Sequence, residues 1–315
     1  MGAPFDAGLL NAWQRDFPLV PRPFAEIAAR RGTSEETVLK QYQLMKQEGF
    51  IDRIGPVFRP NTVGASCLAA MELSPARLEE VAALVSDQRG VNHNYEREHR
   101  YNLWFVVTGR SEPQVQWTLS CIEYAARLPV LRLPLLEEYH IDLGFDLKTG
   151  KAPRSLAHAR RAPLGEPERT LVARMADGLP LVPRPYAALG YPQAQVIDTL
   201  GRWLEAGIVR RVGAVVRHRR LGYEANAMVV WDVPDHQVAQ AGARLAADPA
   251  VTLCYRRARA LPEWPHNLYC MLHGRERSRV TYEVKRISVT LGLESFPRSI
   301  LFSKRCFTQR AASYG

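Results

Sequence analysis

The hexapeptide PLVPRP fills Pro18–Pro23 and returns unchanged at Pro180–Pro185. An identical block carrying three prolines is not a chance event, and further matches come after it in order. Gly49-Phe50-Ile51-Asp52-Arg53-Ile54-Gly55 pairs with Gly207-Ile208-Val209-Arg210-Arg211-Val212-Gly213. Tyr95-Glu96-Arg97 pairs with Tyr255-Arg256-Arg257, Tyr101-Asn102-Leu103-Trp104 with His266-Asn267-Leu268-Tyr269, and Gly109-Arg110 with Gly274-Arg275. The spacing is 162 residues at the prolines (18 to 180), 158 at the glycines (49 to 207), 160 at the tyrosines (95 to 255) and 165 at the asparagine block (101 to 266). A period of that length is too long for a solenoid and describes a duplicated pair of domains.

Each copy has the same internal order. In copy one a helix starts behind Pro23, as a first-turn proline favours, and Gly32 breaks it. Thr33 or Ser34 caps the next helix, with Glu36 or Thr37 in its first turn and Val38, Leu39, Tyr42 and Met45 as its apolar stripe. Gly49 ends that helix, and residues 50–58 read as a short hairpin. Three short helices and a hairpin make a winged helix-turn-helix.

The second part of copy one is predicted as strand 66–73, helix 75–87, strand 91–99, strand 102–108, helix 112–127 and strand 130–145. This βαββαβ order is a ferredoxin-like unit. Copy two repeats it over 225–233, 235–247, 251–257, 267–273, 277–291 and 296–308. The fold class is therefore α+β, a tandem duplication of a winged helix-turn-helix followed by a ferredoxin-like unit. The boundaries are 1–61 and 62–147 for copy one, a Pro-, Gly- and Ala-rich basic linker at 148–167, a degenerate winged helix at 168–221 and the second ferredoxin-like unit at 222–315.

Composition narrows the function classes. The chain has 315 residues, 46% of them apolar and 23% charged, which excludes a disordered or collagen-like chain and a small disulfide scaffold. No apolar run is long enough for a membrane helix, and the N-terminus lacks a secretory signal pattern. Five scattered cysteines without a CxxC pair fit a reduced cytoplasmic protein and offer no cysteine metal site. The net charge of +10 points to a polyanionic partner, either DNA or a small molecule with many carboxylates.

The chemistry concentrates in His93-Asn94-Tyr95-Glu96-Arg97-Glu98-His99. Alternation along a strand places His93, Tyr95, Arg97 and His99 on one face and Asn94, Glu96 and Glu98 on the other. A ferredoxin-like sheet carries helices on one face only, so its open face must meet a partner sheet or hold a ligand. Two imidazoles, a phenol and a guanidinium suit an acidic ligand: arginine forks match carboxylates, and histidine moves protons near neutral pH. On copy two the matching face carries Leu253, Tyr255 and Arg257 beside Arg256, with no imidazole at the position of His93. Its longer loop carries Trp264 and His266. A lone tryptophan packs more often than it stacks on a ligand, yet Trp264 remains a candidate contact. His273 suits a strand end, and His140, His158, His218 and His236 belong to no motif.

The helix-turn-helix modules read as structural. A DNA reader offers the start of its second helix to phosphates and base edges, but Glu35 and Glu36 occupy that turn here. In copy two the region Gly190-Tyr191-Pro192-Gln193 looks shortened and broken by proline. The basic run at 210–220 is of the kind that commonly forms a solvated face.

The layout resembles the AsnC/Lrp regulators. Within it, HNYEREHRYNLWF at 93–105, CYRR at 254–257, WPHNLYCMLHG at 264–274 and LFSKRCFTQR at 301–310 resemble the sirohaem decarboxylases. The resemblance implies a fusion of two related subunits that form a heterodimer in that family. It implies removal of two acetate carboxylates of sirohaem as CO2, giving 12,18-didecarboxysirohaem on the way to haem d1 or, by an alternative route, haem. It implies no cofactor beyond the iron tetrapyrrole substrate, and an internal pseudo-dimer to which a homodimer can be added. His93, His99 and Arg97 become the candidate catalytic residues. Tyr95, Arg256, Arg257, Tyr255, Trp264 and His266 become the substrate-binding set. The chain departs from the family pattern at Leu253 and His266, leaving open whether copy two carries a working site. The competing readings are a DNA-binding regulator of AsnC/Lrp type, with or without haem sensing, and a non-catalytic haem carrier.

Overall fold

A computed structural model describes residues 5–141, 144 and 164–314. Copy one opens with α1 (Ala7–Ala12), α2 (Pro23–Arg31), α3 (Glu35–Gln47) and β1 (Ile51–Phe58). It continues with β2 (Ala65–Glu72), α4 (Pro75–Asp87), β3 (Val91–Arg97), β4 (Tyr101–Gly109), α5 (Glu112–Ala126) and β5 (Leu131–Ile141). Copy two gives α6 (Glu166–Arg174), a 3-10 turn at Ala187–Leu189, α7 (Gln193–Glu205) and β6 (Val209–Val216). After a second 3-10 turn at His218–Leu221 come β7 (Ala225–Trp231), α8 (Val238–Ala246), β8 (Val251–Arg257), β9 (Leu268–Gly274), α9 (Arg277–Leu291) and β10 (Arg298–Gln309). The linker stretch 148–163 lies outside the described residues, and Glu166 and Pro167 already belong to α6.

The chain divides into two units. The first gathers the helix-turn-helix parts of both copies, the second the two ferredoxin-like parts.

In the first unit Pro23 starts α2 and Gly32 caps its end in the left-handed region at φ 64°. Ser34 caps α3, its hydroxyl accepting from the Thr37 amide at 3.1 Å. The hairpin expected at 50–58 does not form. That stretch is one strand, and its partner is the matching strand of the other copy. β1 and β6 run antiparallel, from Ile51 opposite Val216 to Phe58 opposite Val209, with Gly55 facing Gly213. A β-ladder needs partners for its amides, and a duplicated strand supplies them without a turn. The glycines admit crossing backbone: the Ala214 amide donates to Trp13 O at 2.9 Å, and the Leu179 amide to Ile54 O at 2.6 Å. A Cβ on Gly213 would clash with Gln14 O. Proline does not break the second helix of copy two either. Pro192 sits at the N-cap of α7, which has 13 residues like α3; the helix before it has shrunk to the 3-10 turn.

The second unit is a closed eight-stranded barrel in the order β10-β3-β4-β2-β5-β8-β9-β7. Each copy contributes four consecutive strands. The long last strand of each crosses to the other copy, β5 pairing with β8 and β10 with β3. Closure removes the free edges that two separate sheets would expose. Alternation then sorts side chains into layers. Cys67, Ala69, Met71, Leu103, Phe105 and Val107 pack beneath α4 and α5, and Ala227, Val229, Trp231, Cys270 and Leu272 beneath α8 and α9. The opposite faces meet inside the barrel as a third cluster that includes Leu68, Trp104, Leu133, Tyr255, Trp264 and Tyr269. The open face of each sheet is thus covered by its counterpart.

Candidate active site inside the barrel

β3 enters at Gly90, where no side chain fits: a Cβ would lie 2.8 Å from Thr108 O. Its two faces separate by chemistry. Asn94 turns to α4, its Nδ2 donating to Ala82 O and Ser86 Oγ, both at 3.0 Å. Glu96 accepts from Lys304 Nζ at 2.6 Å and Arg305 Nε at 2.7 Å. Burial pushes the Glu96 carboxyl up, but these two cations outweigh it and hold it below the usual range.

On the inner face the rings form a ladder. His93 stacks on Tyr95 with centroids 6.2 Å apart, and the Arg97 guanidinium lies over Tyr95 at 5.7 Å. Tyr95 also donates to Gln309 Oε1 at 3.2 Å, and Arg97 Nη1 donates to Leu301 O at 3.0 Å. Both acceptors belong to β10, so copy two completes the face that copy one begins.

His99 sits beyond the end of β3, in the turn to β4. Its Nδ1 accepts the Tyr101 amide at 3.0 Å, which leaves the other ring nitrogen to carry the proton in the neutral form. The ring stacks on Tyr101 at 6.2 Å and meets Trp264 edge-on at 5.3 Å. Trp264 is only 1% exposed, and its far side touches Trp104 at 5.1 Å and His266 at 4.9 Å. Its indole N–H donates to Tyr269 Oη at 2.6 Å. His266 lies 3.4 Å from Ser299 Oγ through Nε2, and its buried Nδ1 meets no hydrogen-bond partner among the described residues. Burial pushes the His266 imidazole down to about 4, with His99 adding to the effect and Asp232 opposing it. Burial and the Arg100 charge lower His99 as well, against the bond from Tyr101 and the charge of Glu72. Burial thus favours the neutral form of both rings.

Copy two repeats part of this. Arg257 lies 4.6 Å over Tyr255 and donates to Leu133 O at 2.8 Å. Arg256 faces the other way and binds Asp235 at 2.9 Å, so it does not join the interior group. The asparagine shared by the two motifs proves structural. Asn102 clamps Leu73 through its amide and carbonyl at 3.0 and 2.9 Å, and Asn267 clamps Val233 at 3.0 and 2.9 Å. Of the other histidines, His273 Nδ1 lies 2.9 Å from Thr252 Oγ1 and His140 is buried on β5 opposite Cys254. His218 is buried in its 3-10 turn, His236 is exposed beside Gln237, and His158 lies outside the described residues.

Sequence reasoning assigns no role to the residues of the 301–310 stretch. Gln309, Ser303 and the Leu301 carbonyl face the ladder only because β10 crosses to β3, and no local signal announces that pairing. Tyr101, Trp104 and Tyr269 are visible as motif residues; their convergence on Trp264 is not.

Two ferredoxin-like halves closed into one barrel, with arginine, tyrosine and histidine side chains on its inner face, define the class of fold to which this chain belongs. Two family models match: "AsnC-like ligand binding domain" over residues 63–140 and 220–308, and "Siroheme decarboxylase NirDL-like HTH domain" over residues 6–51. The chain is similar to the "Siroheme decarboxylase NirDL subunit" of Paracoccus denitrificans, 44% identical over 318 residues that cover 98% of this chain and 96% of that one. It is also similar to the solved siroheme decarboxylase NirDL, at a TM-score of 0.71 and 28% identity, covering 97% of this chain and 93% of that one. A second structure of that enzyme, in complex with an iron-uroporphyrin III analogue, matches at a TM-score of 0.69, 28% identity and the same coverage. The chain belongs to the NirDL-type sirohaem decarboxylase family, and the winged helices sit within that family rather than marking a regulator.

Proposed function

We propose that this carboxy-lyase converts sirohaem to 12,18-didecarboxysirohaem inside the barrel. The observation that carries this reading is the ladder on β3. His93, Tyr95 and Arg97 share one interior face, and His99, in the turn after β3, meets the Trp264–His266 group. The ligand of the related crystal structure is likewise an iron tetrapyrrole.

The chemistry needs no oxidant. The bond between the acetate methylene and its carboxylate breaks, CO2 leaves, and the electron pair stays on the side-chain carbon and the adjoining ring. A proton then forms the new C–H bond, so each acetate carboxylate plus one proton becomes a methyl group plus CO2. Arg97, held by Leu301 O, anchors a substrate carboxylate in a poorly hydrated setting that favours its loss. His93 and His99 deliver protons, and Tyr95 orients His93 by stacking. Arg257 and Tyr255 hold carboxylates on the copy-two side, and Trp264 and His266 close the end near His99. Arg256 is left out of this set because it faces Asp235.

The ligand carries eight carboxylates, so its arrival raises the depressed imidazoles and charges them where protons are needed. The two copies form an internal pseudo-dimer, and any homodimer of whole chains is additional to the closed barrel. Five free thiols, three of them buried, fit the reducing cytoplasm, and no described helix is long and apolar enough to cross a membrane.

The test is anaerobic incubation of the purified chain with sirohaem, followed by mass spectrometry of the extracted tetrapyrrole. Loss of two CO2 supports the reading. An unchanged mass with a shifted absorption spectrum replaces it with a carrier or sensor.

A further inference from the structure

β10 places Gln309 directly opposite His93 in the antiparallel register. Side chains opposed in this way share a face and lie within reach of each other. One end of the Gln309 amide is fixed, because its Oε1 accepts the single proton of the Tyr95 hydroxyl at 3.2 Å. The Tyr95 ring in turn stacks on His93, with 6.2 Å between centroids and 22° between planes. Gln309, Tyr95 and His93 form a chain of three whose two ends also stand opposite each other across the strands. A tyrosine ring turns about two side-chain torsions, and a hydrogen bond at its tip restrains both.

The other junction of the barrel is an internal control. There β5 crosses to β8 with Ile141 opposite Leu253, the positions that Gln309 and His93 hold at the first junction. The tyrosine and the arginine are kept as Tyr255 and Arg257. Tyr255 stacks on Tyr269 at 5.7 Å, and Ile141 and Leu253 pack on the interior apolar cluster. The amide is present where the imidazole is present, and both are aliphatic at the second junction. Barrel closure alone does not demand the amide, since the second junction closes without one.

We infer that Gln309 is a positioning residue for His93, supplied by copy two and acting through Tyr95. This rests on the decarboxylase reading, in which His93 delivers a proton to the carbon that CO2 leaves. Transfer of that proton depends steeply on alignment, so a restrained ring behind the imidazole raises the rate without adding a group that reacts. The amide of Gln309 neither gives nor takes a proton in the step, because it does not titrate near neutral pH.

The test uses full-length variants with sirohaem under anaerobic conditions, with turnover read from product mass. Gln309→Leu keeps the size of the side chain and removes the acceptor. It should lower kcat by roughly 10- to 100-fold while KM and the melting temperature stay near wild type. Gln309→Glu keeps an acceptor for the phenol and should recover most of kcat, while its negative charge raises KM. Tyr95→Phe removes the same bond from the other side. It should lose as much kcat as Gln309→Leu, and the double variant should lose no more than either. Wild-type kcat in Gln309→Leu, equal losses in the Glu and Leu variants, or additive losses in the double variant each overturn the inference. If Gln309→Leu fails to fold, Gln309→Glu and Tyr95→Phe decide: kcat kept in the first and lowered in the second supports it, and any other pair of results overturns it. A wild type that binds sirohaem but releases no CO2 refutes the decarboxylase reading itself, a result separate from all of these.

Discussion

Arg97 of copy one donates through Nη1 to the carbonyl of Leu301 in copy two at 3.0 Å, and Arg257 of copy two returns the bond to Leu133 of copy one at 2.8 Å. Each arginine lies over the tyrosine two residues before it and binds the strand that closes the barrel on its side. One side chain therefore both seals the junction between copies and presents positive charge to the interior. Arg97→Ala leaves a buried carbonyl without its donor, and should lower stability by about 1–3 kcal/mol. Thermal or urea unfolding measures this. Arg97→Lys keeps the charge but not the fork, and should weaken sirohaem affinity by roughly tenfold with a smaller loss of stability. Equal affinity in the lysine variant would remove Arg97 from the carboxylate site.

The single histidine variants separate binding from proton delivery. His93→Ala and His99→Ala should each cut turnover by roughly 10²–10⁴-fold while the dissociation constant for sirohaem changes only a few-fold. Product mass and spectral titration on the same preparations give both numbers. Wild-type turnover in both variants would end the assignment.

His266 ties stability to pH. Its folded pKa of about 4 lies below the ordinary histidine value, so below pH 6.5 the unfolded chain takes up a proton that the folded chain refuses. The stability contributed by the neutral ring is fully present above about pH 6.5 and is lost as pH falls towards 4. His99, also lowered, acts in the same direction. His266→Gln should flatten the fall of melting temperature between pH 6.5 and 4. A parallel fall in variant and wild type would contradict this.

The same depressed imidazoles predict proton uptake on ligand binding. A tetrapyrrole rich in carboxylates raises their pKa values, so binding near neutral pH should draw protons from the buffer. Titration calorimetry in buffers of different ionisation enthalpy reads the number directly. His266→Gln should reduce it.

The asparagine clamps offer a control away from the chemistry. Asn102 closes both a donor and an acceptor bond on Leu73, so Asn102→Ala should cost about 1–3 kcal/mol of stability. The turnover of the variant that remains folded should match wild type. A selective loss of activity would mean that the clamp also positions its neighbour Tyr101.

The sequence carries the duplication, the order of elements and the two chemistries of β3, because those properties are local. An exact repeat is visible by inspection, and strand alternation assigns faces without knowledge of the neighbours. Asn94 and Glu96 do turn away from His93, Tyr95 and Arg97, as period two requires. Residues 50–58 show where such reasoning stops. An isolated strand and a hairpin share the same apolar, glycine-bearing pattern, and only the partner strand distinguishes them. Arg256 is a different case: motif matching groups it with Arg257, although alternation by itself already assigns the two to opposite faces.

The sequence by itself determined that two copies of one fold exist in this chain, and that the imidazoles of the 93–99 stretch have no counterpart in the matching strand of copy two. Tertiary structure alone decided that the copies share their strands. β1 with β6, β5 with β8 and β10 with β3 are pairings between residues more than 100 positions apart, and backbone hydrogen bonding does not depend on side-chain identity. That is why Gln309, Ser303 and the Leu301 carbonyl could not be placed beside His93 and Arg97 from the chain alone. Their place comes from barrel closure, which satisfies strand edges that neither copy can satisfy by itself.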